Sequence, residues 1–350
     1  MAIDLRALTD DPALFLHEID GGKAIFQEMT RDLFEKSIFL DGRIRHDRRP
    51  NYAVPLEQLL QGWRGPAPDH RPIGWIFHVA QCGSTLLARA LDHQGRSLVL
   101  REPASLRRLG LMVGGGADAP ARQQDAVFSQ LLDVTLALLG KRWQADAPVL
   151  LKANVPVNFI AAEIMARMPE APAILLHFPL SNYLAAILRT EGHENWTKGV
   201  FEELQLASGP LAEGADTNAV EIKAAMLWFA QVQAFEAVAR SHPNARSLDA
   251  RLLFERPRET VEAAADLMGV ALGDGEAERI VTGELFQSYS KNPALDYENE
   301  VRVAREQDAL ARLAPQIDRA LAWAREAQGR FGLADALPAP LLGREVPLFA

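Results

Sequence analysis

Trp75-Ile76-Phe77-His78-Val79-Ala80-Gln81-Cys82-Gly83-Ser84-Thr85-Leu86-Leu87-Ala88-Arg89-Ala90-Leu91 is the stretch that decides the fold. Its first half is apolar, β-branched and aromatic, the composition of a buried strand. Its second half opens on Gly83-Ser84-Thr85 and continues with Leu and Ala at helical spacing. A chain that turns at Gly83 from strand into helix aims backbone N–H groups at one spot, and the hydroxyls of Ser84 and Thr85 add donors there. The stretch predicts an anion cradle of the size and chemistry of a phosphate group.

Outward from it, short apolar runs alternate with helical segments, which predicts an α/β fold with a parallel sheet and crossover helices. Ser97–Leu100, Pro148–Lys152 and Ala173–Phe178 read as strands, and Ser247-Leu248-Asp249 as a further short one. Helical periodicity is read at 84–93, 121–140, 157–168, 181–189, 218–240, 257–268 and 302–329. Pro315 must begin, kink or split the last of these. Residues 4–40 also read as helical, because Leu14, Phe15 and Ile19, then Phe26, Met29, Leu33, Phe34 and Ile38, recur at three- and four-residue intervals. Arg43, Arg45, His46, Arg48, Arg49 and Pro50 follow as a basic cluster, read as a solvated connection rather than a ligand-binding arm. Arg64-Gly65-Pro66-Ala67-Pro68 marks a boundary. The division expected is an N-terminal helical extension and linker over 1–72, a P-loop-type domain over 73–330, and a packed or flexible tail over 331–350.

Of 350 residues, 48% are hydrophobic and 24% charged, as in ordinary soluble proteins. A net charge of −9 argues against nucleic acid as a partner. The single cysteine, Cys82, excludes an internal disulfide; no apolar run approaches the ~18 residues a membrane helix requires, and no signal peptide is expected from Met1–Arg6. These features lead us to expect a cytoplasmic protein without a transmembrane segment. No His/Cys/Asp cluster has metal-ligand spacing, so no metal is expected.

The loop at Gly83 has neither the Gly-x4-Gly-Lys-Ser/Thr spacing of an ATP-binding P-loop nor the Gly-x-Gly-x-x-Gly of a dinucleotide site. Gln81-Cys82-Gly83-Ser84 as a fragment of a papain-type nucleophile site is opposed by the buried strand before it and the missing second cysteine. The loop and helix Cys82–Leu91 instead resemble those of the bacterial sulfotransferase-like family of the P-loop superfamily. Five further segments resemble that family in order. They are Leu100-Arg101-Glu102-Pro103; Leu151-Lys152; Leu175-Leu176-His177-Phe178-Pro179; Asp249–Leu253 with Pro257 and the helix to Gly269; and Tyr289-Ser290-Lys291-Asn292-Pro293. The likeness spans residues 73–293.

The resemblance implies 3′-phosphoadenosine-5′-phosphosulfate (PAPS) as co-substrate. Its sulfuryl group would pass to a hydroxyl or amine of a small-molecule, lipid or glycan acceptor. It also implies Gln81, Cys82, Gly83, Ser84, Thr85 and Leu86 as the 5′-phosphate loop, Glu102 as general base and Lys152 as the cation beside the leaving group. Glu102 paired with Arg101, and Lys152 as a surface residue at a strand end, are the plain structural readings of the same positions. Where the family carries a cation in the loop this chain has Gln81. Where it has Arg and Ser for the 3′-phosphate, this chain has His177 and Ala185, with Arg189 and Lys291 as possible substitutes. These departures keep two alternatives open: a sulfotransferase-fold protein that binds a nucleotide or partner without turnover, and a small-molecule kinase with a non-standard phosphate loop. His78 reads as a core residue, His93 as a helix-end residue, and His193-Glu194-Asn195-Trp196 as a turn or an acceptor-pocket wall. Trp228, Val232 and Phe235 read as core.

Overall fold

Five strands form a parallel sheet in the order β5-β6-β4-β7-β8, where β4 is Gly74–His78, β5 Leu98–Arg101, β6 Val149–Lys152, β7 Ala173–His177 and β8 Ala245–Asp249. The structure is a computed structural model and describes residues 5–44, 51–63, 65, 72–289, 292–296 and 299–349. Every residue of β4 is buried, as a central strand covered by helices on both faces must be. Trp75 and Phe77 stack on one of those faces with ring centroids 5.3 Å apart. β4 pairs with β6 on one side and β7 on the other, so the chain reverses direction across the sheet at β4. The crevice beyond the carboxyl end of such a strand is where open α/β sheets bind ligands.

The helical segments fall close to their predicted places. The 22-residue helix Val220–Ser241 buries Trp228, Val232 and Phe235, and Trp228 Nε1 donates to the Phe178 carbonyl at 2.9 Å. The last helical run is split into Asn299–Arg312 and Ala314–Phe331, with Pro315 in the first turn of the second. There its missing N–H costs no hydrogen bond. The C-terminal residues pack: Ser247 N donates to Ala339 O at 2.9 Å and Leu341 N to Ser247 O at 2.7 Å, covering the outer edge of β8.

The N-terminal segment corrects the prediction. Residues 4–40 are not a helical run. They hold two six-residue helices, Leu5–Asp10 and Arg31–Lys36, around the strands β1 (Leu14–Asp20) and β2 (Lys23–Glu28). β3 (Asn51–Pro55) completes a three-stranded antiparallel sheet. Asp20 pairs with Lys23 across Gly21-Gly22, both at positive φ, the geometry of a two-residue hairpin turn. The apolar spacing fits a strand once the register shift between Leu16 and Glu18 is allowed for. Half-buried Lys141 fastens this segment to the rest by donating to the carbonyls of Leu8 and Asp11, both at 2.8 Å, and of Leu14. Arg45, His46, Arg48, Arg49, Pro50, Arg64, Pro66-Ala67-Pro68, Ser290 and Lys291 lie outside the described residues. Among the described residues no helix is long and apolar enough to cross a membrane.

Candidate active site

Beyond His78 the chain leaves the sheet, and Gln81 (φ +60°) and Gly83 (φ +81°) both adopt left-handed backbone. Gly83 is required there. A Cβ would lie 2.8 Å from the Phe254 ring and 3.0 Å from Leu253, in a conformation that side chains disfavour. The Gly83 carbonyl accepts from Leu86 N (2.9 Å) and Leu87 N (3.1 Å), opening the helix Ser84–Ala90. Cys82 is fully buried, with its thiol donating to Val79 O at 2.9 Å. A thiol so placed braces the loop, which disposes of the papain-type reading. Ser84 and Thr85 are buried, and Thr85 Oγ1 has no hydrogen-bond partner.

The loop forms one wall of a cavity of about 410 Å³ at the carboxyl edge of the sheet. Gln81, Cys82, Gly83, Ser84, Thr85 and Leu86 all line it, as do Glu102, Lys152, Ala185 and Arg189. Glu102 follows β5 in a left-handed conformation (φ +55°), and its N–H donates to Lys152 O at 2.8 Å. A non-glycine residue held this way stores about 1–3 kcal/mol and points to a geometric demand on its side chain. That side chain is ion-paired with Lys152 Nζ. Lys152 is 1% exposed, so the pair is set into the cavity wall and is not a surface contact. Glu102 does not pair with Arg101. The Arg101 guanidinium binds Asp92 (2.7 Å) and the carbonyls of Phe34, Glu35 and Ser37, capping the end of the Arg31–Lys36 helix. Asp92 also binds Arg31.

This clamp carries residues that sequence reasoning missed. Leu40 N donates to Arg101 O at 2.8 Å, and the loop around it brings Phe39, Asp41 and Arg43 to the cavity. The Phe39 ring lies 5.6 Å from Lys152 Nζ and 4.0 Å from the Arg43 guanidinium, both cation–π contacts. Arg43 Nε donates to Asp41 Oδ1 at 2.8 Å. Burial pushes the Asp41 carboxyl up, but the bonds from Arg43 outweigh it and hold the group below the usual carboxylate range. Arg43 was legible only as one of a basic cluster, and its burial partner Phe39 carried no signal at all. Asn154, Arg107, Asn182, Trp196, Arg305 and Glu306 also line the cavity without having been singled out for it, Trp196 excepted. Asn182 Nδ2 donates to Glu306 at 2.7 Å, tying two helices together at the rim.

Two histidines exchange their expected standing. His177 is buried and does not line the cavity. Its Nδ1 lies 3.3 Å from Leu175 O, Asp249 is its register partner across β7 and β8, and burial lowers its pKa. Successive strand residues point to opposite faces, and it is Phe178, one residue on, that reaches the cavity. His78, read as core, is buried yet lines the cavity, with Nε2 3.9 Å from Glu102 Oε1. Burial, and then the charge of Lys152, push its pKa down to about 3 against the pull of Glu102 and of the Val79 and Ala153 backbone. Among the described residues no group of three His, Cys, Asp or Glu is placed to hold a metal ion.

No protein-family model matches the chain, and no curated protein is similar to it in sequence. Solved structures do show a likeness. A sulfotransferase from Alicyclobacillus acidocaldarius matches 73% of this chain and 96% of its own at 13% identity and a TM-score of 0.38. Sulfotransferase STF1 from Mycobacterium tuberculosis H37Rv matches 67% and 76% at 16% identity and a TM-score of 0.37. The sulfotransferase domain from the curacin biosynthetic pathway matches 65% and 83%, also at 16%, with a TM-score of 0.35. These likenesses are distant, and function has to be argued from the cavity's own residues.

Proposed function

We propose that this chain transfers the sulfuryl group of PAPS to a hydroxyl or amine of a small-molecule, lipid or glycan acceptor. The observation that carries the reading is the ion pair of buried Lys152 with half-buried Glu102, lining the same cavity as the loop 81–86. A base and a cation side by side are what such a transfer requires. Glu102 takes the proton from the acceptor O–H or N–H as its lone pair attacks sulfur. The bond from sulfur to the bridging phosphate oxygen breaks, and its electron pair stays on that oxygen. Lys152 is placed to donate to the bridging and sulfuryl oxygens as this charge develops.

The residues present suit an anionic, oxygen-rich donor. The buried Thr85 hydroxyl has an unused donor in the cavity wall. The N–H groups of Ser84 and Thr85, ahead of those of Leu86 and Leu87 that donate to the Gly83 carbonyl, have no intrahelical acceptor. Arg189, half-buried at the cavity wall, is the group we assign to the 3′-phosphate, since Ala185 offers no side-chain donor and His177 faces elsewhere. That same turned-away His177, with uncharged Gln81 in the loop, favours a second reading: nucleotide binding without turnover.

Thermal denaturation with adenosine 3′,5′-bisphosphate, and separately with ATP and Mg²⁺, separates the readings. Bisphosphate at a hundred times its dissociation constant should stabilise the fold by roughly 2.7 kcal/mol. A shift with ATP and Mg²⁺ alone would favour the kinase and end the sulfotransferase reading. With bisphosphate bound, loss of transfer from radiolabelled PAPS in Glu102→Gln supports turnover. Binding with no transfer by the unaltered chain, over a panel of hydroxyl and amine acceptors, favours the second reading.

A further inference from the structure

His78 is the last residue of β4, two positions beyond Ile76, the register partner of Lys152. Its carbonyl accepts from Asn158 Nδ2 at 2.9 Å, so its backbone is fixed. Its Nδ1 lies 2.9 Å from the Val79 carbonyl oxygen. A carbonyl oxygen only accepts, so Nδ1 must carry the hydrogen. A neutral imidazole has one N–H, and Nε2 is therefore a bare lone pair. That nitrogen is buried, has no hydrogen-bond partner, and lies 3.9 Å from Glu102 Oε1. In the ionised state two acceptors face each other and cannot bond. One proton added to Glu102 turns them into donor and acceptor, and a movement of about 1 Å brings them to hydrogen-bond distance.

We propose that His78 is a positioning residue for Glu102: its Nε2 receives the hydrogen bond of the carboxylic acid formed when Glu102 has taken the acceptor's proton. This rests on the transfer reading given above. The ionised carboxylate is held by Lys152, with the Arg43 charge also acting on it. As transfer proceeds Lys152 turns its charge to the departing phosphate oxygen, and the newly neutral Glu102 needs an acceptor where it had a cation. His78 is the group waiting there. The proton stays on Glu102, shared with Nε2, until product leaves and solvent removes it, so no further reactant is needed. Low basicity suits the role, because a histidine of ordinary pKa would carry a proton of its own and repel the donor.

The test uses the full-length chain. Long-range proton–nitrogen correlation on ¹⁵N-histidine protein at pH 7 should show His78 as the Nδ1–H tautomer; an Nε2–H tautomer or an imidazolium overturns the proposal. The Glu102 carboxyl carbon, assigned by its loss in Glu102→Gln, is then titrated in the unaltered protein, His78→Phe and His78→Gln. The His78→Phe variant lacks the lone pair, and its Glu102 acid dissociation constant should rise about tenfold. His78→Gln, which keeps an acceptor oxygen, should recover most of that change. Identical Glu102 titrations in all three proteins overturn the proposal. If His78→Phe does not fold, the tautomer and His78→Leu, which also lacks the lone pair, decide it: a tenfold rise of the Glu102 acid dissociation constant in His78→Leu supports the role, and an unchanged one refutes it. Absence of a thermal shift with adenosine 3′,5′-bisphosphate would instead remove the transfer reading and leave these titrations standing.

Discussion

The two sides of β4 end differently. On the β5–β6 side, half-buried Glu102 and buried Lys152 meet at the cavity as an ion pair, and Arg101, one residue before Glu102, ties that edge to the N-terminal segment. On the β7–β8 side the polar residues His177 and Asp249 face each other in register, and His177 is sealed away while Phe178 and Ala185 present apolar surface. At the strand ends, one sheet edge therefore presents a charged half and an apolar half to the cavity, bridged by the loop 81–86. What the difference teaches is that strand-end chemistry depends on parity. A polar residue displaced by one position from the residue that faces the crevice becomes part of the core.

The strongest way to break this contrast is to substitute both sides. Lys152→Met should cut transfer from radiolabelled PAPS by about 10²–10³-fold, the loss typical for removing a donor from developing charge, whereas His177→Asn should change it by less than about threefold. Equal effects would show that the β7 edge takes part after all. Next in size is the clamp behind the charged half. Arg101 is 2% exposed, and Arg101→Met leaves Asp92 with Arg31 and the Val99 N–H while freeing three carbonyls. A loss of about 3 kcal/mol in urea unfolding is expected; a loss under about 1 kcal/mol would mean that the N-terminal segment docks without it.

The charged half and the loop were legible because their signals are local. A buried strand, a glycine turn, two hydroxyls and a leucine helix lie within Trp75–Leu91, and Glu102 and Lys152 each sit at the end of an apolar run. The parallel sheet followed from the same alternation. The N-terminal segment was misread because Leu14, Phe15 and Ile19 satisfy helical spacing as well as a bulged strand; the better signal was Gly21-Gly22, a hairpin dipeptide. The Phe39–Asp41–Arg43 wall was illegible for a different reason. It exists only because Arg101, far along the chain, gathers the carbonyls of residues 34–37, and no spacing rule encodes that contact. His78 and His177 show the same limit: each ends an apolar strand in sequence, and only the register decides which one faces the crevice.

The two histidines also make the contrast measurable by acid. Both have pKa values lowered by burial, so each is neutral in the fold and takes up a proton on unfolding. A base whose folded pKa lies below its unfolded value of about 6.5 contributes its stability fully above that pH, and the contribution falls as pH drops below it. For His78 the loss continues down to about pH 3. His78 should contribute a slope that approaches about 1.4 kcal/mol per pH unit as pH falls below 6.5, and His177 one of the same sign, both read from urea unfolding between pH 7 and pH 5. His78→Gln should remove one proton's worth of that slope and His177→Asn should lower it in the same sense; an unchanged slope in either variant means that its imidazole is already protonated in the fold.

The smallest effect belongs to Phe39, which sharpens the contrast from the N-terminal side. Its ring contacts both the Lys152 and Arg43 cations, and Phe39→Leu keeps the apolar bulk while removing the π face. A partly desolvated cation–π contact contributes about 1 kcal/mol, so transfer should fall about fivefold, with the bisphosphate thermal shift unchanged. If the change appears in kcat, the ring orients Lys152 for the reaction. A change confined to the acceptor's KM would assign Phe39 to acceptor binding, and the N-terminal segment would then supply specificity to a charge pair that the sheet builds by itself.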